Sequence, residues 1–122
     1  MANEITVTTG ISITKGNLTR TIPVRTFQAD MAGVRVITNS QAVGTVHEAL
    51  VVGDLASAGY CTITNLDGTN YAELGVDVAG TFYPVVRIDA GKTSGPFRLS
   101  SLTRHVQANT AAVNLDITIA EA

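Results

Sequence analysis

The side chains able to do chemistry are few. They are His47, His105, Cys61 and single acids beside turn residues, such as Asp54, Asp67, Asp77 and Asp89. Two imidazoles can hold a metal or move a proton. Neither histidine has a His, Cys or acidic neighbour at a ligand spacing, however, and His47 and Glu48, adjacent on a strand, point to opposite faces. No metal and no cofactor are expected. Single acids on strands do not define a general acid–base pair, because their approach depends on sheet order. Gly91-Lys92-Thr93 has the ending of a phosphate-binding loop, yet Val86 stands where the earlier glycine is needed and Ser94-Gly95-Pro96 follows where a helix should start. A plain turn fits better. No Gly-x-Ser-x-Gly elbow occurs. Cys61 is the single cysteine, which excludes an intrachain disulfide, and without a base beside it the thiol reads as a small core residue. No catalytic residue emerges, so the chain is expected not to be an enzyme.

The elements that would position these groups are strands. The stretch from Tyr60 to Gly75 contains two alternating runs that meet at Asp67-Gly68, a strong hairpin signal. With those two residues as the loop, Leu66 faces Thr69, Asn65 faces Asn70 and Cys61 faces Leu74. Cys61, Ile63, Ala72 and Leu74 then share a buried side, with Thr62, Thr64, Tyr71 and Glu73 opposite. Asn65, Asp67, Gly68 and Asn70 supply the turn chemistry, and Gly75 closes the second strand.

The same alternation runs through the chain. Glu4 to Lys15 alternates, with a bulge or bend expected at Gly10. After a Gly16-Asn17 turn comes Leu18 to Phe27, which places Leu18, Ile22 and Val24 on one face and Arg25 and Phe27 on the other; Pro23 marks this strand as an edge. Further strands are expected over Val34 to Thr38, up to Val52, over Thr81 to Asp89, Gly95 to Leu99 and Arg104 to Ala108, and over Val113 to Ile119; Asn39-Ser40-Gln41 reads as loop. Strands recurring about every 8 to 12 residues between turn signals indicate an antiparallel sandwich or barrel. At 122 residues, one domain spanning the chain is the default.

Charge narrows the partners. The formal net charge is −2 and the arginines are dispersed among acids, so no basic face for nucleic acid is expected. Met1 to Val7 lacks the basic and apolar pattern of a secretory signal, and no apolar run is long enough to span a bilayer, so a soluble protein made in a cytoplasm is expected.

From Glu48 onward the order of features resembles small virion structural proteins of tailed bacteriophages. It runs from Val51-Val52-Gly53-Asp54-Leu55 and Gly59 through Asn65-Leu66-Asp67-Gly68-Thr69-Asn70-Tyr71 to Glu73-Leu74-Gly75. The strand Phe82 to Ile88, a turn at Ala90-Gly91-Lys92, Phe97-Arg98-Leu99 and a closing strand to Glu121-Ala122 follow. The Asn-Leu-Asp-x-Thr-Asn-Tyr segment is its most specific part, and little more than half of the chain is covered. The resemblance implies an all-β, antiparallel β-sandwich, jelly-roll-like, single domain that serves assembly rather than chemistry. It implies a capsid decoration, or cement, protein on the head surface, made in the host bacterial cytoplasm, partnered by the major capsid protein and by copies of itself, with a trimer as the leading arrangement. A head-fibre, tail or baseplate component, or a carbohydrate-binding β-sandwich, are the alternatives. Tyr71 and Tyr83 are candidate contact residues because tyrosine offers large area with a polar tip. Residues 1–9, with Ile5 and Val7, are a candidate arm that joins a neighbour's sheet edge.

Overall fold

A computed structural model describes residues 3–122. The described residues contain ten strands and no helix, and they divide into two compact units, one up to Met31 and the other Ala32–Ala122.

The first unit is a β-hairpin of β1 (Ile5–Lys15) and β2 (Leu18–Ala29), joined at Gly16-Asn17 with Gly16 at φ 57°. Its register runs from Ile5 opposite Ala29 to Lys15 opposite Leu18, with a shift between Thr9 and Ile11. Two residues, Pro23 and Val24, thus oppose Gly10, the bulge expected at that glycine. A Cβ on Gly10 would come within 2.9 Å of Val24 Cγ2. The bulge also corrects the faces of β2. Opposed residues share a face, and Thr9 opposes Arg25 whereas Ile11 opposes Ile22. The extra residue reverses parity past Pro23, so Arg25 and Phe27 join Leu18 and Ile22 instead of lying across from them. Of residues 1–9, read as an arm, residues 5–9 are the first part of β1, and residues 1–2 lie outside the described residues.

The second unit is a sandwich of two four-stranded antiparallel sheets. One sheet has the order β3 (Val36–Val43), β10 (Val113–Ala120), β5 (Tyr60–Asn65), β8 (Thr93–Arg98). The other has β4 (Glu48–Ala49), β9 (His105–Ala108), β6 (Ala72–Val78), β7 (Thr81–Ile88). The pairs β3–β10, β4–β9, β5–β8 and β6–β7 nest inside one another along the chain. This is one long antiparallel hairpin folded over on itself, the jelly roll. Strict alternation explains it. In β10, Val113, Leu115, Ile117 and Ile119 are all buried, and they meet Ile63, Ile88 and Val106 from the other strands. Each such side chain contributes about 1.5–3 kcal/mol by leaving water. Outward residues of the β3–β10–β5–β8 sheet form hydroxyl pairs, Thr38 with Thr118 at 3.3 Å and Thr64 with Thr93 at 2.8 Å.

Three expectations are corrected. Asp67-Gly68 is not a hairpin turn: β5 and β6 lie in different sheets, and residues 66–71 carry the chain across. The face assignment holds, since Cys61, Ile63, Ala72 and Leu74 are buried, because the inner faces of facing sheets alternate as a hairpin would. The pairing does not hold, because β5 is flanked by β10 and β8, and β6 by β9 and β7. A two-residue loop with positive φ at both positions occurs instead at Ala79-Gly80, with φ 53° and 89°. Second, Asn39, Ser40 and Gln41 are strand, paired with Ile117, Asp116 and Leu115. Third, the strand expected up to Val52 shrinks to Glu48–Ala49. Gln41 accounts for both: it is buried, its Nε2 donates to the Ala49 carbonyl at 3.0 Å, and its Oε1 accepts from Val51 N–H at 2.9 Å. One side-chain amide thereby replaces the ladder where β4 stops.

Candidate functional site: an apolar hairpin face and an imidazole pair

The register of β1 and β2 puts Ile11, Ile13, Leu18, Ile22 and Phe27 on one face of the hairpin, with Lys15, Arg20 and Arg25 interspersed among them. Each is more than two-fifths exposed. On the opposite face are Thr6, Thr8, Ser12, Thr14, Thr19, Thr21 and Thr26, with Thr8 and Thr26 hydroxyls 3.1 Å apart. Eleven residues of strand make a ribbon roughly 35 Å long. A two-stranded ribbon is marginal by itself and leaves an unpaired backbone edge on each strand. Ile5 lies opposite Ala29 and Val7 opposite Phe27; Val7 is buried and Ile5 half-buried.

The other contact candidates do not gather. Tyr71 immediately precedes β6, and the Arg87 guanidinium sits 3.7 Å over its ring. Tyr83 is 52% exposed and opposes Val76, toward the far end of β6. Five residues of strand separate these positions, roughly 15 Å, so the tyrosines do not form one stacking platform.

The residues read as turn chemistry form a network of a different kind. Asn65 is fully buried, and its Nδ2 donates to the carbonyls of Asn70 at 2.9 Å and Ile88 at 3.1 Å while its Oδ1 accepts from Asp67 N–H at 2.9 Å. Asp67 Oδ2 accepts from Thr69 N–H at 2.9 Å and Asn70 N–H at 2.6 Å. Those two bonds, Asn70 first, hold the Asp67 carboxyl below its ordinary range. Asn70 Oδ1 accepts from the Thr110 hydroxyl at 2.6 Å. Gly68 is exposed with open space around it, so the loop does not depend on it. Gly75 sits inside β6 at a register shift, and a Cβ there would collide with the Tyr83 carbonyl. Cys61 is core, as expected: burial pushes its thiol up to about 12.

Spacing along the chain concealed one constellation. The β4–β9 pairing places Ala49 opposite His105 and so brings His47, just before β4, beside His105, with the two Nδ1 atoms 3.0 Å apart. His47 Nε2 lies 3.1 Å from the Gly80 carbonyl and 3.9 Å from Asp77 Oδ1. Phe82 stacks on the His47 ring at 5.5 Å between centroids. The signal was in the strand order, which no local motif carries: residues 47, 77 and 105 meet only when β4, β9 and the β6–β7 turn share one sheet.

No protein-family model, no curated protein and no solved structure matches the chain. No helix among the described residues is long and apolar enough to cross a membrane.

Proposed function

We propose that this protein is a capsid decoration protein of a tailed phage, which binds the outer surface of the assembled head and reinforces it by non-covalent contacts bridging capsid subunits. The observation that carries the reading is the hairpin. Five large apolar side chains lie on one face of a thin ribbon, an arrangement stable only when another surface covers it. The jelly roll supports the same reading, since this architecture recurs in capsid and lectin domains. The Asn65–Tyr71 segment adds the resemblance to virion proteins. In this account the hairpin engages neighbouring subunits on the head, other copies of this chain or the major capsid protein. Apolar burial at about 25 cal/mol per Å², repeated over many symmetric copies, supplies the reinforcement. The chain is made in the host cytoplasm and acts on the virion.

The carbohydrate-binding alternative required Tyr71 and Tyr83 in one groove, and their separation along β6 removes its main support. The test is thermal. Phage heads lacking the protein, after saturation with it, are expected to retain DNA to a higher temperature than untreated heads. Equal release curves after demonstrated binding would contradict a reinforcing role.

A further inference from the structure

We infer that His47, His105 and Asp77 form a binding site for a divalent transition ion of the zinc type, which ties the short β4 and β9 to the β6–β7 turn. One ring nitrogen from each histidine and a carboxylate oxygen of Asp77 lie within 4.8 Å of one another. Two imidazoles and one carboxylate are the donor set that suits Zn²⁺ and its neighbours rather than Mg²⁺ or Ca²⁺.

The tautomers follow from the hydrogen bonds. The Gly80 carbonyl can only accept, so His47 Nε2, 3.1 Å away, carries the proton and its Nδ1 presents a lone pair. That lone pair points at His105 Nδ1, 3.0 Å distant. Without an ion, His105 donates Nδ1–H into it. When the His105 proton moves to Nε2, both Nδ1 lone pairs face the space between the rings. Two nitrogens bound to one zinc at about 2.0–2.1 Å and a tetrahedral angle stand about 3.3 Å apart, so the nitrogens need separate by only a few tenths of an ångström while each ring tilts to aim its lone pair off the N···N line.

The surroundings are those of an oriented ligand. Ligating histidines characteristically donate their second ring N–H to a carbonyl or carboxylate, which fixes ring and tautomer; here the Gly80 carbonyl does so for His47. Phe82 stacks nearly parallel to the His47 ring, at 19°. The Ala79-Gly80 loop, with positive φ at both residues, is what presents the Gly80 carbonyl. The Asp77 carboxylate, whose Oδ1 stands 3.9 Å from His47 Nε2 on the protonated side of the ring, reaches the ion as third ligand by rotation of its own side chain; its charge offsets that of the ion, and water completes the shell. His47 and Asp77 side chains are 22% and 29% exposed, so an ion can reach them.

The test uses the full-length, tag-free chain dialysed against chelator and titrated with ZnCl₂ by calorimetry. One Zn²⁺ per chain should bind, and the Tm should rise. His47→Gln and His105→Gln should each abolish the saturable heat, and Asp77→Asn should weaken binding by about tenfold or more. Because a variant could misfold, the unmodified chain provides a separate readout. It has only two histidines, so long-range ¹H–¹⁵N spectra resolve both rings. Both Nδ1 resonances should shift together, saturating at one equivalent. Absence of saturable binding, a heat that survives the His47→Gln/His105→Gln double change, or unshifted Nδ1 resonances would each overturn the site.

Discussion

At the scale of single residues, the strongest local constraint is Asn65. The amide is itself fully buried and meets two carbonyls, the Ile88 one in a buried bond, and one N–H, at the point where the chain leaves one sheet for the other. Asn65→Ala removes all three bonds, orphans the Ile88 carbonyl outright at a cost of about 1–3 kcal/mol, and leaves a cavity where the buried amide packed. Urea unfolding of that variant should show a loss of about 3 kcal/mol or more, and a loss below 1 kcal/mol would mean that the network is not a structural pivot. Glu121 is a second case. It is 3% exposed, and its carboxylate accepts from Ala56 N–H at 2.7 Å and Arg35 N–H at 3.2 Å. The Ala56 bond foremost, with help from Arg35, outweighs burial and holds its pKa below the ordinary 4.5. A carboxylate depressed on folding stabilises fully above its unfolded value, and that contribution disappears as pH falls through its folded value. Asp67 acts in the same direction from an ordinary 3.8. The Tm should therefore hold near neutral pH and fall below about pH 4.5. Glu121→Gln should lower the Tm at pH 7 and flatten that acid limb; an acid limb as steep as the unmodified chain's would show that other groups cause it.

At the scale of elements, the sequence stated which residues face inward far better than which strands pair. β10 and β5 could be assigned face by face because Val113 to Ile119 and Cys61 to Ile63 alternate without interruption, and burial depends on alternation alone. Pairing depends on which strand edges remain free. Asp67-Gly68 carries the composition of a hairpin turn, and only the occupied edges of β5 and β6 forbid one. The bulge at Gly10 was legible as a glycine interrupting a pattern, yet its effect on Phe27 required knowing that the extra residue belongs to β2. The imidazole pair was illegible for the same reason as the sheet order that creates it. The hairpin yields the prediction proper to this scale. Ile13→Lys replaces an apolar contact on the face of Ile11, Leu18, Ile22 and Phe27 with a charge beside Arg20, whereas Thr14→Lys places the same charge on the threonine face one residue away. Losing a central apolar contact costs more than about 1.4 kcal/mol, a factor of ten. Head binding should weaken at least tenfold for Ile13→Lys and change little for Thr14→Lys; equal effects would mean that the apolar face is not the contact.

At the scale of the whole molecule, eight nested strands give a closed core, and their outward residues include hydroxyl and carboxylate pairs as well as the exposed Val36, Val78, Tyr83 and Val85. A core of this kind stands without a ligand, and the ribbon of β1 and β2 presents apolar surface beyond what folding needs. That division, a self-sufficient module plus a surface requiring a partner, is the physical content of the decoration proposal. Its most direct test is co-sedimentation of the purified chain with phage heads that lack it, counting bound copies per particle by quantitative gel. A decoration protein should saturate at many copies, in a fixed ratio to the major capsid protein. No binding, or saturation at a handful of copies as a tail or fibre part would show, would contradict the proposal.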